Sequence, residues 1–210
     1  MTSVTPPVCA FATGLEELVV ALAPWLSEDE RQQAEQYRRP ARRLQFLTAR
    51  GLLRWLLQHY WNFPPTASVI TRQPNGAPQL QVNGQLWYCS ISHSHDIVMV
   101  ALSPDQAVGV DVERLKPRKQ LVRLLKTGFM AGLETEDLAQ FYQRWTLAEA
   151  VTKTEQGLLL EVLKRDSGAY ETHARFRQQA DCMLCCYTPT AHSNIHEVLQ
   201  TDAGLVLETS

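Results

Sequence analysis

Several features are missing from this sequence, and each absence sets an expectation against a class of protein. The opening stretch, M-T-S-V-T-P-P-V-C, has neither the basic residues nor the apolar core of an export signal. The most apolar helical stretch, G-L-L-R-W-L-L from Gly51, is too short to span a bilayer and carries Arg54 in its middle. Neither sign of charge dominates: 20 Lys and Arg stand against 22 Asp and Glu, a formal net charge of -2. A general nucleic-acid surface or membrane-surface site is therefore not expected, and any basic site must be local. The 5 cysteines are an odd number without framework spacing, which suits reduced thiols in a cytoplasmic protein. There is no low-complexity tract and no long linker.

What is present is a globular composition, 45% hydrophobic and 20% charged over 210 residues. That length allows one large domain or two small ones with a real core. A strand is expected at Val8 to Ala12. Ser27 to Glu30 reads as a capping box that starts a helix running to about Tyr37. Pro40 suits the first turn of a longer helix to about Trp61, along which Leu44, Leu47, Leu52, Trp55 and Leu56 recur at helical spacing. Ala67 to Arg72 alternates like a strand, Asn75-Gly76 marks a turn, and Asn83-Gly84 signals a hairpin. Ile97 to Leu102 is apolar enough to be a central strand.

The second half repeats this order. The strand A-V-G-V-D-V-E comes first, then helices at about Lys119 to Lys126 and Thr135 to Thr154, the latter with an acidic first turn over Glu134 to Asp137. Strands are expected near Leu159 to Leu163, Tyr170 to Phe176, Cys182 to Tyr187 and Val198 to Thr201, with A-G-L-V-L-E-T-S as a last edge strand or a frayed tail. The order implies an α/β (α+β) fold of two pseudo-symmetric lobes, residues 1–104 and 105–210. Each would pack helices on a small, mostly antiparallel sheet, with the active site in the cleft between them. Such an internally paired chain is expected to be a monomer.

Three short stretches carry chemistry. In A-V-G-V-D-V-E-R-L, Asp111 and Glu113 are two apart on a strand and so point the same way, with Gly109 on their face leaving room for something large. Two like charges side by side on an otherwise apolar strand call for a cation, although acids facing solvent would have the same spacing. In R-W-T-L-A-E-A-V-T-K, Glu149 and Lys153 share a helix face. Taken alone they read first as a surface ion pair worth ~0.3–0.5 kcal/mol. In S-I-S-H-S-H-D, Ser92, His93 and Ser94 cluster hydrogen-bonding groups at a strand end, which suits phosphate oxygens. The run R-R-P-A-R-R, Arg38 to Arg43, with Arg50 beyond it, is the local positive patch. A helix start normally prefers acids, so these arginines suggest a bound anion.

G-V-D-V-E, W-x-x-x-E-A-x-x-K and the upstream S-H-S together resemble the 4'-phosphopantetheinyl transferases of the surfactin-synthetase-activating type. F-L-T-A-R-G-L-L-R, from Phe46, is similar to the helix of that family's first lobe, and the resemblance covers roughly Arg38 to Leu160. It implies transfer of 4'-phosphopantetheine from coenzyme A to a serine of an apo acyl or peptidyl carrier protein, releasing 3',5'-ADP. It implies Mg²⁺ on Asp111, Glu113 and Glu149, a hard cation held by carboxylates and substrate phosphates. By the same carry-over Glu149 accepts the serine proton and Lys153 stabilises or protonates the leaving phosphate. Ser92 and His93 hold the pyrophosphate, and Arg42, Arg43 and Arg50 lie near the 3'-phosphate.

Two positions depart from the family pattern. Ala77 stands where the family's G-K-P has lysine, and Ala148 where its K-E-A has lysine. Both remove positive charge from a site for a polyanion, and restoring either lysine is expected to tighten coenzyme A. A non-catalytic carrier-protein-binding homologue would tolerate those losses, and a Mg²⁺-dependent phosphohydrolase acting on coenzyme A would use the same carboxylates. Cys182, Cys185, His192 and His196 have finger-like internal spacings, but fewer residues separate the pairs than the ~12–15 of a zinc finger. Cys182 and Cys185 also fall on opposite faces of the expected strand, so buried thiols are the better reading.

Overall fold

The computed structural model describes residues 5–117, 124–133, 137–190 and 193–209. Seven strands form a large sheet: β1 (Val8–Ala12), β2 (Ser68–Arg72), β3 (Pro78–Val82), β4 (Gln85–Ser94), β5 (Ile97–Ser103), β9 (Ile195–Thr201) and β10 (Gly204–Thr209), in the order β10-β9-β1-β5-β4-β3-β2. All neighbours are antiparallel except β1 and β9. A second, antiparallel sheet has the order β6-β8-β7, from β6 (Gly109–Arg114), β7 (Ala174–Gln179) and β8 (Cys182–Tyr187). The helices are α1 (Leu15–Leu22), α2 (Glu28–Glu35), α3 (Pro40–Trp61), α4 (Leu138–Glu155), α5 (Leu159–Leu163) and α6 (Gly168–Glu171).

Strand alternation sorts the core into layers. Ala10, Val98, Val100 and Leu102 on one face of the large sheet meet Leu18 and Leu22 of α1 and Leu52, Leu53 and Leu56 of α3. Cys9, Phe11, Met99 and Ala101 on its other face meet Val110, Val112, Cys182, Leu184 and Cys186 of the small sheet. The far face of the small sheet, Met183, Cys185 and Tyr187, takes Trp145, Ala148, Ala150 and Val151 of α4. Helices, large sheet, small sheet and helix therefore stack in that order, with opposite residues of one strand serving two interfaces.

Local signals explain most boundaries. Ser27 accepts from the Glu30 N–H and the Glu30 side chain accepts from the Ser27 N–H, so the capping box opens α2 as expected. Pro40 opens α3, and Asn62 ends it in the left-handed region at φ 58°. Asn83 and Gly84 both take positive φ, the backbone a two-residue hairpin needs between β3 and β4. Asp137 caps α4 by accepting from the Gln140 N–H at 2.9 Å. The expected helix start at Thr135, the acidic turn over Glu134 to Glu136 and most of the expected Lys119 to Lys126 helix lie outside the described residues.

Two expectations are corrected. Leu159–Leu163 is helix α5, not a strand. Strand alternation would put Leu158, Leu160 and Val162 on one face, yet the two leucines are exposed while Val162 and Leu163 are buried together, a helical pattern. The strand expected from Tyr170 begins only at Ala174, because Gly168–Glu171 forms the short helix α6. The tail is an edge strand, β10, paired with β9. Through the parallel pairing of β9 with β1, two strands of the second half complete the sheet of the first. No helix of the described residues is long and apolar enough to cross a membrane.

Candidate functional site

The site grows from the way β6 is held. No backbone ladder joins β6 to β4; two serine hydroxyls take its place. Ser90 Oγ accepts from the Val110 N–H at 3.1 Å, and Ser92 Oγ accepts from the Val112 N–H at 3.3 Å. Ser92 also donates to Asp111 Oδ1 at 2.8 Å. A hydroxyl can accept and donate at once, so one buried serine both docks the strand and orients its carboxylate. That hydroxyl is engaged within the protein, and Ser92 positions Asp111.

On the other side of β6 lies α4. A Cβ at Gly109 would stand 2.0 Å from the Ala150 carbonyl oxygen and 2.4 Å from Thr154 Oγ1. What lies against the strand where glycine leaves room is thus a helix backbone. The close seating brings Lys153 over the strand, where Nζ donates to Val110 O at 2.9 Å and to Asp111 Oδ1 at 2.8 Å. Tyr142 Oη donates to Lys116 O further along, so α4 runs antiparallel to β6. Glu149, one turn before Lys153 and half-buried, falls on the stretch of helix that passes Asp111 and Glu113.

Asp111 is paired with Lys153, but its hydrogen bonds are incomplete. Asp111 is 6% exposed. Its Oδ1 has two partners, but its Oδ2 is buried with none among the described residues. A carboxylate oxygen out of water without a donor costs free energy unless something cationic meets it. Glu113 lies on the same face two residues on, half-buried. Hard, anionic oxygen donors of this kind fit Mg²⁺. No group of three or more His, Cys, Asp or Glu among the described residues is gathered to hold a metal by itself.

His93 follows Ser92 and points to the opposite side of β4, into a cleft it shares with Arg42, Arg50 and Arg72. Burial pulls its imidazole down to about 4, and the nearby positive charges of Arg42 and Lys153 add to the effect. It is therefore neutral at neutral pH, able to donate from one ring nitrogen and accept at the other. Arg50 is 8% exposed, and its Nη1 is buried with no hydrogen-bond partner among the described residues. Burial also lowers its affinity for a proton. Its Nε lies 3.9 Å from Glu30 Oε1, and its guanidinium sits 5.2 Å from the Phe46 ring centroid. Arg42 lies over Tyr37, 5.5 Å from the ring centroid, and donates to Gln45 Oε1 at 3.4 Å. The cleft thus joins two constrained arginines to a neutral histidine, an arrangement suited to a phosphate beside a flat ring.

Arg43 does not line this cleft: it caps the end of α2, donating to Ala34 O at 3.2 Å and Glu35 O at 3.5 Å. Arg72, on β2, lines it although its sequence context singled out nothing. The two alanines separate. Ala77 lies between Gly76 and Pro78, which both line the cleft. Ala148 is 0% exposed, packed in the core between α4 and the small sheet. Ala148 is therefore no simple charge loss, and the expectation that lysine there tightens coenzyme A is withdrawn, because it would bury an ammonium among apolar side chains. Ala77→Lys remains, and is expected to lower the apparent KM for coenzyme A by about five- to 150-fold, the range of one charge-assisted hydrogen bond. Steady-state kinetics over a coenzyme A titration checks it, and a raised KM would show that the turn has no room for the chain.

Cys182 and Cys185 do fall on opposite faces of β8, in different core clusters, while His192 lies outside the described residues. Burial pushes the Cys185 thiol well above its ordinary value and Cys182 up to about 11. These are packed thiols, not a reactive pair.

No protein-family model matches the chain. Among curated proteins it is 32% identical over 138 residues to a provisionally assigned 4'-phosphopantetheinyl transferase of Synechocystis, a match covering 61% of this chain and 56% of that protein. It is 30% identical over 144 residues to the 4'-phosphopantetheinyl transferase HetI of Nostoc, covering 63% of this chain and 60% of HetI. It is 29% identical over 165 residues to the 4'-phosphopantetheinyl transferase AcpT of Escherichia coli K12, covering 74% of this chain and 80% of AcpT. The first two matches span between about half and two thirds of the relatives' own length.

Proposed function

We propose that this chain is a 4'-phosphopantetheinyl transferase, moving phosphopantetheine from coenzyme A to a serine of an apo acyl or peptidyl carrier protein with release of 3',5'-ADP. The observation that carries the reading is the join at the end of β4. Ser92 faces the buried, half-satisfied carboxylate of Asp111, while His93, the next residue, faces the arginine-lined cleft. A ligand anionic at two separated points would bridge the two. Coenzyme A, with a 3'-phosphate at one end and a pyrophosphate nearer the reacting bond, has that form. The relatives' activity agrees with it.

In this reading Asp111, Glu113 and Glu149 would hold Mg²⁺ only once substrate phosphate oxygens join them, since no three such acids among the described residues are gathered without them. When bound, the ion offsets charge on the pyrophosphate as the phosphoryl group is transferred. Arg42 and Arg50 bind the 3'-phosphate, and the neutral His93 hydrogen-bonds the pyrophosphate. Lys153, poised on Asp111, meets the negative charge that develops on departing 3',5'-ADP, and Glu149 takes the serine proton. Ser92 acts through Asp111. The two-lobed reading, with a division near residues 104 and 105, places the site where β4 of the first half meets β6 and α4 of the second.

Incubation with coenzyme A, Mg²⁺ and a panel of apo carrier proteins, read by intact mass, tests the proposal. A carrier heavier by one phosphopantetheine supports it. Carrier binding without mass change would indicate a non-catalytic module, and 3',5'-ADP released without a modified carrier would indicate a phosphohydrolase. Glu149→Gln is expected to cost at least ~10²-fold in kcat with little change in Tm, the scale of general acid–base work. A surface ion pair would show the reverse, normal turnover with a small shift in Tm.

A further inference from the structure

β6 is an edge strand of the small sheet, and among the described residues it pairs only with β8. Its free edge is nevertheless buried at Val110 and Val112. The N–H of each is met by a serine hydroxyl of β4, Ser90 at 3.1 Å and Ser92 at 3.3 Å. Both serines are buried, and both stand on the face of the large sheet shared with Met99 and Ala101, the face that meets the small sheet. They act as pegs, two residues apart on β4 and meeting amides two residues apart on β6. One peg would fix where the strand sits and leave its direction free; two fix both. Asp111 lies between the pegged residues. The same edge seats Lys153, whose Nζ donates to Val110 O at 2.9 Å as well as to Asp111 Oδ1.

We infer that Ser90 is a positioning residue: by pegging Val110 it sets the direction of β6, and so determines how tightly Mg²⁺ is held at Asp111 and where Lys153 is seated. This rests on the transferase reading above and extends it to a residue that acts only through the backbone of β6. Ser92 differs, because it pegs Val112 and also holds Asp111 directly. Without the Ser90 hydroxyl the buried Val110 N–H loses its acceptor, at the cost of an unmet polar group. The strand is then free to tilt about Ser92, carrying with it Asp111 and the carbonyl on which Lys153 rests. The arginine-lined cleft is untouched by this tilt, since β4 contributes Ile91 and His93 to it from the opposite face. Partners of this kind, one step removed from a metal ligand, matter for affinity because they fix the ligand's orientation.

Four forms of the full chain test this: the unaltered protein, Ser90→Ala, Ser90→Thr and, as a control, Ser68→Ala. Ser68 is a buried serine of β2 whose hydroxyl donates to Pro65 O. Amide exchange followed by NMR, with no ligand present, is expected to show Val110 exchanging several-fold faster in Ser90→Ala alone. The Mg²⁺ concentration for half-maximal transfer is expected to rise by about 10- to 100-fold in Ser90→Ala, the scale for an outer partner of a metal ligand. It should stay close to the unaltered value in Ser90→Thr, which keeps the hydroxyl, and in Ser68→Ala. The Kd for coenzyme A, titrated calorimetrically without Mg²⁺, is expected to be equal in all four. An unchanged Mg²⁺ requirement or an equally protected Val110 amide in Ser90→Ala overturns the inference and leaves the transferase reading standing. So does a threonine variant as impaired as the alanine, an equal shift in Ser68→Ala, or a Mg²⁺-free Kd that weakens in Ser90→Ala. An unaltered protein that transfers nothing at any Mg²⁺ concentration removes both.

Discussion

Asp111→Asn is expected to leave a folded protein whose transfer activity is down by about 10³-fold or more and whose residual rate no longer responds to Mg²⁺. The side-chain oxygen of asparagine still accepts from Ser92 and Lys153, the two partners that Asp111 Oδ1 has now. Only the charge is lost, and with it the buried Oδ2 that lacks a partner. A metal that offsets charge on a phosphoryl oxygen contributes several kcal/mol, and about 4 kcal/mol corresponds to roughly 10³-fold in rate. Asp111→Ala should silence the protein too, but it also strips the acceptor from Ser92, so the asparagine is the cleaner probe. Transfer followed by intact mass across a Mg²⁺ titration checks the expectation, with Tm as the control for folding. An unchanged rate would mean that the metal lies elsewhere.

Much of the frame was legible because its signals are local. The capping box at Ser27, Pro40 at the start of α3, Asn83-Gly84, the continuous apolar run of β5 and the alternation of β6 each dictate structure within a few residues, and each appears where expected. Leu159–Leu163 was not legible, because a five-residue segment with four apolar residues around Glu161 has too few positions to separate a period of 2 from one of 3.6. The parallel pairing of β9 with β1 joins residues far apart in the chain, which no local pattern encodes.

The site divides along the same line. Asp111 with Glu113, and Glu149 with Lys153, could be read as pairs because strand and helix spacing fix their faces. Which third group each pair would meet could not. Lys153 on Asp111 depends on how closely α4 approaches Gly109, and the engagement of Ser92 depends on β6 docking through hydroxyls. The basic run at Arg38 to Arg43 gave the charge but not its direction. The rotation of about 100° between adjacent helical residues sends Arg42 into the cleft and Arg43 back onto α2. Ala148 shows the opposite risk, a position matched by motif and then found in the core.

Glu30→Ala is expected to cost about 3–5 kcal/mol, the scale for breaking a buried ion pair by removing one partner. Glu30 is 5% exposed and serves three groups: its Oε2 accepts from Arg54 and from the Ser27 N–H, and its Oε1 lies 3.9 Å from Arg50 Nε. Arg54 is 4% exposed, so truncating Glu30 strands one guanidinium in the core and leaves Arg50 without its counter-charge. For a chain of this length each kcal/mol moves Tm by ~2–4 °C, so a fall of roughly 6–20 °C is expected in thermal melts. A buried pair also predicts non-additivity. Glu30→Met combined with Arg54→Met removes both charges at once, and should cost less than the sum of the single changes. Recovery would be partial, since Arg50 still lacks its carboxylate. Additive losses in the two single variants, or a loss below about 1 kcal/mol for Glu30→Ala, would mean that water screens the pair as it does at a surface. The arginine wall of the cleft would then owe its position to the packing of α3 alone.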